Sequence, residues 1–237
     1  MSIRKNIFNP TERPFEEIES AATVITKSGD NFHLGLIYRN PETEELRFLH
    51  LAWHLDLVDQ DLPGNGKYLW GCPDLPEERV MDIAIRCLLV IDANSKGEVP
   101  YAFSYPNDFF NAETGQMLLG SRGVGLTCAT FVMAIFHMAN INLINYSSWR
   151  ERKSDKYFQQ YIVSQMEKNR VPKAHIEEVL KEVNGLRFRP SEVMASTVTP
   201  PEVSTMLQLE PLGLEVQSHV NETLNPVSLP TMCKHPI

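Results

Sequence analysis

The sequence predicts an α+β fold in which an antiparallel sheet packs on a buried helix. Three observations carry that reading. Runs rich in β-branched, aromatic and leucine residues recur between 22 and 53 with turn residues between them, an almost wholly apolar helix follows Cys128, and apolar residues recur at helical spacing after Ser154. The 237 residues are enough for one core plus an appendage. With 22 basic and 30 acidic side chains the formal charge is −8, the wrong sign for a chain held to nucleic acid by a whole-molecule field. No apolar run approaches the roughly 18 to 20 residues of a membrane-spanning helix, and the first residues lack an apolar signal segment, so a cytoplasmic protein is expected.

Residues 1–20 are polar and read as an irregular lead-in. Segments 22–27, 32–38 and 46–53 form the expected meander, broken by Ser28-Gly29-Asp30 and by Asn40-Pro41-Glu42-Thr43. A strand is expected over 67–70. Asp74-Leu75-Pro76-Glu77 then matches a helix start with Asp74 as N-cap, and that helix should end near 94–97. Residues 99–103 suggest a further short strand. A glycine-rich loop from Gly120 runs into the helix that begins at Cys128. Beyond Ser147 the charge turns locally basic, and helices are expected after Ser154, Pro172, Pro190 and Pro201. The resulting division is a core domain over 1–149, a helical appendage or lid over 150–215 and a flexible tail over 216–237.

Cys72, Cys87, Cys128 and Cys233 contain no C-x-x-C pair and no zinc-like spacing, so no metal site is expected and free thiols are. Cys87 falls in an apolar helix and reads as core, Cys72 as a turn residue and Cys233 as part of the tail. Cys128 differs. In the first turn of its helix it would meet free backbone N–H groups and the positive end of the helix dipole, which lower a thiol pKa and can hold an oxyanion. Among the histidines, a hairpin centred on Pro41-Glu42 pairs residues whose numbers sum to 83. That places His33 opposite His50 on one sheet face, close enough for one imidazole to orient the other.

The order His33, His50, Cys128, set in His33-Leu-Gly-Leu-Ile-Tyr38, Phe48-Leu-His-Leu51 and Leu126-Thr-Cys-Ala-Thr-Phe-Val132, resembles the circularly permuted papain-like hydrolases of the NlpC/P60 superfamily. The resemblance covers roughly residues 20–140. It implies a papain-like sheet on a central helix, with Cys128 as nucleophile, His33 as base and His50 as the residue that holds His33 in its productive tautomer. The implied reaction is cleavage of an amide in a peptide, isopeptide or peptidoglycan-type link, with no cofactor and a peptide or other acyl-bearing compound as substrate. Two alternatives use the same scaffold: a thiol-dependent acyltransferase or thioesterase, and a non-catalytic binding module in which Cys128 is only core. Within that superfamily the resemblance is to the branch of YiiX-like and lecithin:retinol-acyltransferase-like proteins; the acyltransferases usually have Asn before the cysteine and charged residues after it, where this chain has Thr127 and Ala129, which points away from membrane-lipid acyl transfer.

Overall fold

The computed structural model describes residues 2–29, 31–64, 66–94, 98–105, 108–118, 122–183 and 185–224. Five strands form an antiparallel sheet: β1 Ala21–Ser28, β2 Asn31–Arg39, β3 Leu46–Trp53, β4 Asp56–Gln60 and β5 Leu69–Gly71, in the spatial order β4-β3-β2-β1-β5. The helices are α1 Glu77–Ala93, α2 Cys128–Met138, α3 Asp155–Lys168, α4 Lys173–Val179, α5 Pro190–Thr197 and α6 Met206–Thr223. The α+β class and the meander expected from the sequence are both present. No helix among the described residues is long and apolar enough to cross a membrane.

Alternation along the strands divides the sheet into two faces. Leu34, Leu36 and Tyr38 of β2 and Leu49 and Leu51 of β3 join the main core, together with α2. Ile37 and Phe48 point the other way and form a smaller cluster with Ala22, Val24, Phe15, Ile18 and Trp70. Every residue of α2 except His137 is buried, as its apolar sequence requires of a helix that cannot show a face to water.

The hairpin register differs from the expected one. Leu36 pairs with Leu49 and Arg39 with Leu46, so paired numbers sum to 85 rather than 83. Asn40 and Glu45 close a four-residue loop in which Glu44 adopts φ +62. The shift is two residues, so it preserves which side chains share a face.

Other boundaries moved for identifiable reasons. α1 starts at Glu77 behind Pro76 rather than being capped by Asp74, whose amide instead donates to the Thr197 carbonyl. The expected strand over 99–103 is reduced to a bridge between Tyr101 and Leu126. The short helix expected at Pro201 is absent, and α6 begins at Met206 behind Thr205. Conversely, β4 places only Leu57 in the main core, and it exists because it pairs with β3.

The expected division at 149/150 is not a structural boundary. Ile162, Met166, Val193, Val216 and Val220 lie in the same buried core as Leu36 and Phe131, and α5 is buried along its whole length. Residues 150–215 are therefore built into the core rather than appended to it. Residues 216–223, expected as flexible tail, belong to α6 and bury Val216 and Val220. Cys233 and the rest of the tail beyond 224 lie outside the described residues.

Candidate active site

Cys128 is the first residue of α2. Thr127 caps the helix by accepting from the Thr130 amide at 3.2 Å, and Thr130 returns the bond by accepting from the Thr127 amide at 2.7 Å. The cap is reciprocal and leaves the amides of Cys128 and Ala129 facing the thiol. The side chain is deeply buried, and burial pushes its pKa up. The backbone N–H of Leu34, the charge of Arg187 and the amides of Ala129 and Cys128 pull it back without overcoming that effect. The acidic thiol expected from helix position alone is therefore not observed, because desolvation outweighs the dipole.

His33 and His50 are brought together as the sequence suggested. Nε2 of His33 lies 2.8 Å from Nδ1 of His50, with the rings edge to face. In the observed register His50 faces Gly35 and is diagonal to His33. A Cβ on Gly35 would stand 2.6 Å from Cε2 of Phe48, 2.9 Å from Cβ of His50 and 3.0 Å from the Leu49 carbonyl oxygen. Glycine at this position is thus what lets β3 side chains cross over toward His33. Phe48 stacks on the His50 ring with centroids 4.4 Å apart. Burial, and then proximity to His50, lowers the pKa of His33 to about 3. Burial lowers that of His50 to about 4. At neutral pH both rings are uncharged and share a single proton between the facing nitrogens.

The β2–β3 ladder stops at Leu36 and Leu49. Past that point a pocket of about 340 Å³ opens, lined by His33 and Phe32 from β2, Trp53 from β3, Cys128 from α2, and Phe158 and Arg187 from the C-terminal half. His33 and Cys128 thus reach one cavity from opposite faces of the sheet. His33 shares the face of Ile37 and Phe48, whereas the thiol lies against the Leu34 backbone on the α2 face. Among the described residues no hydrogen bond joins the thiol to the His33 ring, whose engaged nitrogen is the one facing His50.

Two contributors escaped the sequence reading. Leu34 looks like an ordinary core residue, and only the early end of the ladder frees its N–H to face the thiol. Arg187 sits in a basic stretch that reads as a solvated helical face, and no pattern marks it as a pocket residue. His54, a neighbour of the pair in sequence, is engaged elsewhere. Its Nδ1 accepts from the Tyr101 amide at 3.2 Å, and its ring lies 4.5 Å from that of His175. Among the described residues no group of three His, Cys, Asp or Glu side chains is placed to hold a metal ion.

No family model, curated protein or solved structure matches the chain.

Proposed function

We propose that this chain is a cysteine hydrolase that cleaves an amide bond, on a papain-like scaffold of the permuted NlpC/P60 kind. One observation carries the reading: a hydrogen-bonded His33–His50 pair whose first member lines the same pocket as a cysteine at a helix N-terminus. With Nε2 of His33 donating to His50, the acceptor this reading assigns to the thiol proton is Nδ1, across the pocket that both side chains line. Because burial favours the uncharged forms of both partners, proton transfer to Nδ1 accompanies attack of Sγ on the substrate carbonyl carbon. The amides of Cys128 and Leu34, which face the thiol, are the donors this reading gives to the oxyanion that forms. His33 then gives its proton to the departing amine, leaving a thioester on Cys128. Water, deprotonated by His33, attacks the thioester, the acid is released and the thiol regains its proton. His50 steadies the imidazolium in each half of the cycle.

The aromatic walls favour a second use of the same machinery, cleavage of a thioester or transfer of an apolar acyl group to an amine or alcohol. Adding an acceptor to the assay separates transfer from hydrolysis. The described cysteines are free thiols, consistent with a reducing, cytoplasmic setting as part of this reading.

The decisive experiment compares the wild-type chain with Cys128→Ala on fluorogenic amide and thioester substrates, with an electrophilic acyl probe to mark the acylated residue. Turnover should vanish in the variant and the label should sit on Cys128. Unchanged turnover, or a label on Cys72, would reject the assignment.

A further inference from the structure

The three arginines behind the pocket are unequally paired. Arg152 forms a two-pronged pair with Glu192 and reaches Asp155 at 2.9 Å. Arg189 holds Asp155 through Nε at 3.0 Å and Nη2 at 2.8 Å. Arg187 touches the same Asp155 oxygen with Nη1 alone, at 3.4 Å. Asp155 and Glu192 have side chains 2% exposed, so three guanidinium groups that are 10 to 18% exposed share two fully buried carboxylates. The remaining carboxylate, Glu210, is 43% exposed and meets Arg152. Asp155 already has close partners without Arg187.

A nearly buried cation with one long contact is costly unless an anion joins it. Yet Arg187 is held firmly in place. Its carbonyl accepts from Trp149 Nε1 at 3.1 Å and from Arg152 Nη2 at 3.0 Å, and its guanidinium carbon lies over Phe158, 3.4 Å from the ring centroid. It lines the Cys128 pocket, and its charge acts on the thiol. Among the described residues no hydrogen bond engages Nε or Nη2 of Arg187, and the residue lines the same cavity as Cys128.

We propose that Arg187 is the carboxylate-binding residue of the pocket and that the substrate is a small N-acyl amino acid, with its amide one carbon from a free carboxylate and its apolar groups against Phe32, Trp53 and Phe158. This rests on the reading of the cavity as an acyl-substrate site and adds its specificity. A guanidinium suits a planar carboxylate through two parallel N–H donors. A cavity of about 340 Å³ is large enough for one acylated residue.

The test measures binding without turnover. In the Cys128→Ala chain, calorimetry compares N-benzoylglycine with N-benzoylglycinamide, which differ only in the charged group. The acid should bind at least about ten-fold more tightly. Arg187→Met should abolish that preference while leaving amide affinity in place, and Arg187→Lys should restore part of it. Equal affinities in the Arg187-containing chain, no binding of either compound, or a preference that survives in Arg187→Met would overturn the proposal. Tighter binding of a hexapeptide acid than of N-benzoylglycine would overturn the small-ligand assignment. None of these readouts depends on catalysis, so failure of the hydrolase reading, seen as unchanged turnover in Cys128→Ala, is separately visible.

Discussion

The imidazoles of His33 and His50 meet at 2.8 Å although the two residues are diagonal rather than opposite in the sheet. Gly35, which faces His50, makes that diagonal passable, since any Cβ there would strike Phe48, His50 and the Leu49 carbonyl. The ring of Phe48 can shift, but the carbonyl belongs to β3 and can move only with the strand. Gly35→Ala should therefore lower stability by about 1 to 3 kcal/mol, the usual range for forced overpacking. It should also separate the two rings. Urea unfolding gives the first quantity and imidazole proton NMR the second. A variant with wild-type stability and an intact His33–His50 proton signal would show that glycine is dispensable.

His50 acts only through His33, so its replacement should affect catalysis more than binding. In the proposed reaction His50→Ala should reduce kcat by roughly 10² to 10⁴-fold with little change in KM, the scale typical of losing a general base or its correct tautomer. His50→Asn keeps a side-chain acceptor for the His33 N–H and should recover part of the loss. A purely structural role would instead lower the folded fraction without changing the pH profile of the remaining active protein. A His50→Ala chain with unchanged kcat would remove His50 from the site.

Much of this arrangement was legible in sequence because it depends on local rules. Period-two alternation placed His33 and His50 on one face, and an even register error left that placement intact. The glycine-rich lead and the apolar run marked the start of α2. Long-range terms were not legible. How deeply the Cys128 thiol is buried depends on packing between β2, α2 and the 185–190 segment, so the sign of its pKa shift could not be read from its place in the helix. The separation of β2 and β3 past Leu36, which opens the pocket and frees the Leu34 N–H, leaves no mark in residue pattern. The same is true of the core that α5 and α6 share with the sheet, since a basic, helical sequence looks equally suited to an appendage.

The direction of the Cys128 shift has a kinetic consequence. Alkylation by iodoacetamide requires thiolate, so its rate should rise with pH to a midpoint above the roughly 8.5 of an ordinary cysteine. Arg187 pulls the thiol pKa down, so Arg187→Met should move the midpoint higher still. Mass spectrometry of the Cys128 peptide across pH 6 to 10 follows both changes. A plateau reached below pH 7 would mean that a thiolate–imidazolium pair forms before substrate arrives, and the concerted proton transfer proposed above would have to be replaced.

Acid should destabilise the chain through its histidines. The pKa values of His33, at about 3, and of His50 and His54, each at about 4, lie below the 6.5 of an unfolded histidine. Between those limits the unfolded chain binds more protons than the folded one, so stability rises with pH across the window. The contribution is fully present above about pH 6.5 and is lost as pH falls toward 4. Each such group adds at most about 1.4 kcal/mol per pH unit to the slope. Asp59, whose pKa is raised chiefly by burial, works in the opposite direction at the acidic end, which makes a difference measurement preferable to an absolute one. The free energy of urea unfolding should therefore fall more steeply from pH 6.5 to 5 in the wild-type chain than in a His33→Asn/His50→Asn double variant. Equal slopes would mean that the two rings are not held neutral by the fold, and the account of Nδ1 as unprotonated before substrate arrives would lose its basis.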